Sequence, residues 1–411
     1  MAIIKPFKAL RPERNVAHLV ASVPYDVVSR EEAFELAEGN PISFLRVTRS
    51  EIELPPNVNP YSKEVYELAK KNLELITQKA PLIQDQNDRF YLYQLTMGDQ
   101  IQTGIAATFA VDDYDNNVIL KHEKTRKEKE DDRTNHILTT SAQTGPVFLT
   151  YRDVKSINDL VDKIKMEVAP IYDFIAKDGV QHKVWIVPED YNQFIIDEIK
   201  KVDKIYIADG HHRAASASRV RSIKREQNPN HRGDEEYNFF LAVLFPASQL
   251  RILPYNRVVF SLNNLSEEEF LEKIKTNFNF SEVNYSEPKQ RRNICMYLRK
   301  KWYLLTPNEN VKEGSSYGEN LDVSILQNYL LRPILGIDDP RTSKNIDFVG
   351  GIRGTKELER LVDIGKAAVA FSMYPVTIED LMNISDAGEI MPPKSTWFEP
   401  KLRDGLLIHL I

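Results

Sequence analysis

The 411-residue chain is 42% hydrophobic and 28% charged, a balance that suits a globular protein long enough for two or more domains. A net charge of −6 argues against a sequence-blind nucleic-acid binder, and the single cysteine, Cys295, excludes an intrachain disulfide or a cysteine-based zinc cluster. No apolar run reaches bilayer length and the start, Met-Ala-Ile-Ile-Lys-Pro-Phe-Lys, has no apolar signal-peptide stretch, so a cytoplasmic location without membrane partners is expected.

In chain order, Val23-Pro24-Tyr25-Asp26-Val27 lies in a loop before a helix over 30–38. Pro24 stiffens the backbone ahead of Asp26, which is a candidate to activate a hydroxyl or bind magnesium; on local grounds alone it reads as an ordinary turn acid. Asn40-Pro41-Ile42-Ser43-Phe44-Leu45-Arg46 follows. Apolar residues Val65, Leu68, Ala69, Leu73 and Ile76 recur at helical spacing within 62–79. Residues 89–96 and 103–111 are β-rich and flank Met97-Gly98-Asp99, which predicts a hairpin. His122 and Glu123 end a strand-like run, and a charged helix spans 127–140. Alternating charge is what a solvated helix face shows. The adjacent His and Glu add chemistry, because a Glu beside a His can act as a base or hold a metal. Strands are expected over 146–151 and 183–187, with helices over 157–168 and from 188 to about 202.

The most informative segment comes next. A β-rich run over 204–208 meets Asp209-Gly210-His211-His212-Arg213, and a helix-favouring run starts at once. Gly210 permits a tight turn, and the helix start offers unpaired N–H groups and partial positive charge to an anion. Arg213 adds a planar fork of donors, and the histidines titrate near neutrality. Ala214, Ala215, Ser216, Ala217 and Ser218 let the helix approach a neighbour closely. A plain strand-to-helix turn is the bland alternative; the His-His-Arg tip favours a phosphate loop.

Residues 237–245 are apolar without alternation, as in a central strand. Helices are expected over 266–277, 322–331, 353–362 and 377–382, with a strand around 295–298. Lys394, Ser395 and Thr396, three anion-friendly side chains, follow two prolines. They lack the glycine frame of a Walker loop, and a surface strand explains them equally well. No Gly-, Ser- or Pro-rich linker divides the chain, so interleaved lobes are expected: a phosphate-binding core over about 100–260, a lobe over about 261–390, and a return of 391–411 to the core.

Taken together, these pieces resemble one prokaryotic family, catalogued as a domain of unknown function, number ten-fifteen. The matching residues are Pro24-Tyr25-Asp26-Val27, Asn40-Pro41-x-Ser43-Phe44-Leu45-Arg46, His122-Glu123-x-Thr125, Asp132-Arg133, Asp209-Gly210-His211-His212-Arg213 and Met391-Pro392-x-Lys394-Ser395-Thr396-x-Phe398-x-Pro400-Lys401. One departure is Asn256 in Tyr255-Asn256-Arg257-Val258, where a histidine is expected. The Gly210-His211-His212-Arg213 stretch also resembles the phosphate loop of the ParB/sulfiredoxin superfamily, which includes free serine kinases.

The resemblance implies a mixed α/β fold with a ParB/sulfiredoxin-like core and additional lobes. It implies phosphoryl transfer to a small hydroxyl metabolite, L-serine, from a nucleotide or pyrophosphate with Mg²⁺. Gly210, His211, His212 and Arg213 would hold donor phosphates, and Arg133, Lys394, Ser395 and Thr396 would neutralise further oxygens. Asp209 and Glu123 would bind magnesium or take the hydroxyl proton, with His122 beside them and Asp26 as a second base. Arg46 would clamp the substrate carboxylate. The partners are then a small substrate and its donor, with a homo-oligomer compatible. A ParB-like nucleotide switch and a phosphate-ester hydrolase are the alternatives.

Overall fold

Alternating apolar strands and amphipathic helices build the mixed α/β architecture expected. The computed structural model describes residues 1–79 and 82–411. The chain divides into two compact units, each discontinuous in sequence: residues 1–121, 125–250 and 400–411 form the first, and 122–124 with 251–399 the second.

The first unit centres on a nine-stranded mixed sheet among the described residues. Its order is Ile119–Leu120, Ile205–Asp209, Val147–Tyr151, Phe239–Pro246, Gln100–Ala110, Tyr91–Met97, Gln181–Ile186 and Tyr172–Ile175, with Ile4–Lys5 also pairing with Gln100–Ala110. Phe239–Pro246 is central, as its unbroken apolar run predicts. It runs parallel to Val147–Tyr151 and antiparallel to Gln100–Ala110. The hairpin turn is at Gly98, whose φ is +60°. Helices Lys155–Glu167, Asn192–Lys200 and His211–Gln227 bury Ile157, Ile164, Ile195, Ile199, Ala214 and Ala217 in one core with Leu92, Ile105, Leu149, Ile207 and Leu244 of the sheet. Helix Lys63–Lys79 contributes Leu73 and Ile76 to a second core, which also holds Phe44, Val47, Ala142 and Ile408.

The second unit holds a six-stranded antiparallel sheet, in the order Phe278–Val283, Lys301–Pro307, Ile294–Leu298, Val369–Met373, Tyr255–Val259, Ile346–Gly350. Leu358 of helix Gly354–Asp363 packs with Val258, Cys295, Val349 and Ala370 of the sheet. Asn256, the departure from the family pattern, is buried and satisfied: its Oδ1 accepts from Met373 N at 3.0 Å. The helix expected over 322–331 is α-helical only over Asp322–Leu326 and continues as a π-helix over Gln327–Leu331.

Candidate functional site

A β-bulge shapes the segment the sequence singled out. Pairing of Ile205–Asp209 with Val147–Tyr151 shifts register between Ile207 and Asp209, which re-aims the end of the strand. Gly210 then adopts φ +92° and caps helix His211–Gln227. The turn needs that left-handed backbone, which residues with a Cβ adopt at a cost.

Asp209 is tied down on both oxygens. Gly210 N donates to Oδ1 and Lys401 Nζ to Oδ2, each at 2.8 Å. Burial alone would raise its pKa, but Lys401 and Arg213 outweigh that and hold the carboxylate well below its usual range. A magnesium ion there would have to displace Lys401, so the expectation that Asp209 is a metal ligand meets a competing cation. Lys401 belongs to the quoted family pattern, but its role as counter-ion was not legible from local sequence.

Arg213 has its side chain 11% exposed. Its Nη1 donates to Pro146 O at 2.8 Å and its Nη2 to Asp26 Oδ1 at 3.3 Å, while its buried Nε has no protein partner among the described residues. Asp26 is thus a salt-bridge partner within the site. Arg133 lies on the same Tyr25 ring: its guanidinium is 4.0 Å from the ring centroid and that of Arg213 is 5.8 Å. Arg133 is fixed by Asp132, which accepts from its Nε at 3.0 Å and also from Tyr66 Oη at 3.1 Å.

One acid here escaped the sequence reading. Asp404 is 2% exposed, and its backbone pairs with Ser22. Burial and the Asp26 charge raise its carboxyl to about 7, with Arg213 and Arg133 opposing. Gly145 makes room for it: a Cβ at residue 145 would lie 2.1 Å from Asp404 Oδ1. Tyr25, Arg133, Gly145, Arg213 and Asp404 line a small pocket of about 30 Å³, with Val147 and Phe240 on its apolar side. His136 shares it and is neutral, pushed down to about 4 by burial and by Arg133; its Nε2 donates to Val47 O. Asp404 sits among apolar residues in Lys401-Leu-Arg-Asp404-Gly405-Leu-Leu, and its Asp-Gly pair signals only a turn.

The other expected residues are placed as follows. His211 is buried in the first turn of its helix. His212 Nε2 accepts from Arg126 N at 3.1 Å, so its ring proton sits on Nδ1 when neutral. Arg46, expected to clamp a substrate carboxylate, donates to Asn40 O and Ala37 O and pairs with the Glu53 carboxylate, bracing a loop. His122 and Glu123 belong to the second unit, as do Lys394, Ser395 and Thr396. There the His122 carbonyl accepts from Met391 N at 2.8 Å, and Thr396 Oγ1 lies 3.5 Å from His122 Nε2. Ser395 is buried and donates to Pro392 O, while Lys394 turns the chain with φ +57°.

No curated protein matches the sequence. Among solved structures, a conserved hypothetical protein from Pyrococcus furiosus is similar at 13% identity and TM-score 0.37, over 75% of this chain and 95% of that one. A free serine kinase in complex with AMP is similar at 11% identity and TM-score 0.36, over 73% and 91%. C-terminally truncated SbnI from Staphylococcus aureus is similar at 10% identity and TM-score 0.38, over 73% and 85%. The family model described as "Protein of unknown function (DUF1015)" matches residues 4–324, which is most of the chain and carries the motifs assembled above through Arg213, and the protein belongs to that family.

Proposed function

We propose that the protein is a phosphotransferase that moves a phosphoryl group from a nucleotide or pyrophosphate, with Mg²⁺, to the hydroxyl of a small metabolite, L-serine. One observation supports this above the rest: Arg133 and Arg213 flank a single tyrosine ring in a pocket that also holds a carboxyl with a near-neutral pKa. Phosphoryl transfer asks mainly for positioning and charge neutralisation, which two held guanidiniums supply. The buried Arg213 Nε is one donor available to a phosphate oxygen.

In the proposed step the serine oxygen forms a bond to phosphorus while the bridging P–O bond of the donor breaks. The hydroxyl proton passes to Asp404, whose carboxyl at about 7 is matched to neutral pH. Mg²⁺ would neutralise donor oxygens. The choice of serine rests on the family resemblance, as do the donor-binding roles of His211, His212, Lys394, Ser395 and Thr396 and the metal and proton roles of His122 and Glu123.

The direct test is incubation with serine, Mg²⁺ and, separately, ATP, ADP or pyrophosphate, followed by detection of phosphoserine. Product from one donor is expected, and Arg213→Ala should weaken that donor by about 1.5–3 kcal/mol through a lost charge-assisted bond. Donor binding without phosphoserine would favour the nucleotide switch; release of inorganic phosphate without phosphoserine would favour the hydrolase.

A further inference from the structure

The second unit carries a pocket that the proposed reaction does not use. It holds about 330 Å³, at the lower end of the size range of small-ligand sites. Arg257 lines it from strand Tyr255–Val259, beside Phe348 of the neighbouring strand. This arginine is 3% exposed. Its guanidinium donates to the carbonyls of Tyr255 and Lys394, the latter at 3.1 Å, and lies 5.4 Å from the Phe348 ring centroid. No carboxylate contacts it among the described residues. Burial without a counter-ion lowers its pKa to about 10, with only Tyr255 opposing. A buried charge ordinarily has an ionic partner, because desolvation is otherwise uncompensated.

Arg332 lines the same space, is exposed, and makes no ion pair among the described residues. Arg341 and Asp339 neutralise each other through a two-point contact, with Nη2 to Oδ2 at 2.7 Å. Asp338, exposed, is the other acid on the lining. The balance is therefore positive, and the cations without a carboxylate partner are Arg257 and Arg332. The π-helix Gln327–Leu331 forms part of the wall, a local geometry frequent at functional sites.

We propose that this pocket binds a small anionic molecule whose phosphate or carboxylate group is received by Arg257 and Arg332. Both anions present oxygens that a guanidinium fork fits. The site lies wholly within the second unit and shares no lining residue with the pocket of the first.

The test is calorimetric titration of the full chain with inorganic phosphate and, separately, with malonate, which distinguishes the two sources of oxyanion. Saturable binding of one of them with Kd below about 1 mM is expected. Arg332→Glu, at an exposed position, should weaken it at least tenfold without loss of fold. Arg257→Lys should weaken it by roughly 10- to 100-fold, the range for a lost hydrogen bond to a charged group. Arg213→Ala, in the first unit, should leave the Arg332-dependent binding in place. The proposal is overturned if neither anion binds saturably, if Arg332→Glu binds as the wild type does, or if Arg213→Ala abolishes the signal.

Discussion

Asp404 shows how a residue with an unremarkable local sequence acquires chemistry. Burial and the charge of Asp26, from a distant part of the chain, raise the Asp404 carboxyl to about 7 against the opposition of Arg213 and Arg133. An unfolded aspartate titrates near 3.9 (about 4). Between those values the native state holds a proton that the unfolded chain has released, so stability falls as pH rises through this window. The contribution is complete below the unfolded value and gone above about 7. Asp404→Asn lacks the titration, so the variant's Tm minus that of the wild type should increase from about pH 4.5 to about pH 7.5. A difference that stays flat would show that the carboxyl titrates normally. Asp209, held low by Lys401 and Arg213, acts at the other end: its stabilisation is lost as pH falls below the ordinary carboxylate range. If Asp404 takes the hydroxyl proton, Asp404→Asn should also cut phosphoserine formation by about 10²–10⁴-fold while donor binding persists. Asp209 and Arg213 were legible because residue type and turn chemistry mark them locally, whereas Asp26 and Arg133 entered the site only through the family resemblance. Asp404 was not, because its properties are entirely those of its neighbours.

At the level of the element, local rules carried far where one rule dominated. The charged segment before Thr140 forms helix Lys127–Thr140, and the small residues after Arg213 do bring helix His211–Gln227 close to it, with Ser216 Oγ donating to Glu130 O at 3.2 Å. The strand read over 204–208 is displaced by one residue to Ile205–Asp209, since the bulge admits Asp209 to the ladder and no sequence rule announces a bulge. The switch from α to π geometry at Gln327 is equally silent, because a π segment of five residues is too short to show a periodicity of its own. Gly210 is the hinge of the phosphate-loop candidate. In Gly210→Ala a Cβ would lie 3.4 Å from Arg213 Nη1 and from Val147 Cα, so space is tight but present. The left-handed backbone is the larger obstacle, at about 1–2 kcal/mol for a residue with a Cβ. Urea unfolding should show a loss of that size. A neutral result would mean that the turn relaxes to an ordinary helix start and does not hold the strand end and Arg213 in register.

For the whole molecule, the order of the chain and the order of its units differ. Residues 251–399 build the second unit before the last stretch, 400–411, completes the first. That stretch is a structural component: Leu406, Leu407 and Ile408 are buried, Leu10 and Ile408 exchange two backbone hydrogen bonds at 2.9 and 3.0 Å, and His409 pairs with Gln143. It also supplies Lys401 to Asp209, Asp404 to the pocket, and Arg403, whose Nε donates to buried His182. Full burial of a large apolar side chain is worth about 1.5–3 kcal/mol. Losing three of them with their strand pairing removes stability comparable to the ~5–15 kcal/mol that holds a typical domain together. A chain ending at Glu399 should therefore lose the cooperative folding of its first unit. Hydrogen exchange read by mass spectrometry locates the effect: amides of Tyr91–Met97 and Gln100–Ala110 should lose protection, while those of Ile294–Leu298 and Lys301–Pro307, whose sheet lies wholly in the second unit, should keep most of theirs. Retained protection in Tyr91–Met97 would show that the sheet of the first unit stands without its last segment, and that residues 400–411 serve the pocket alone.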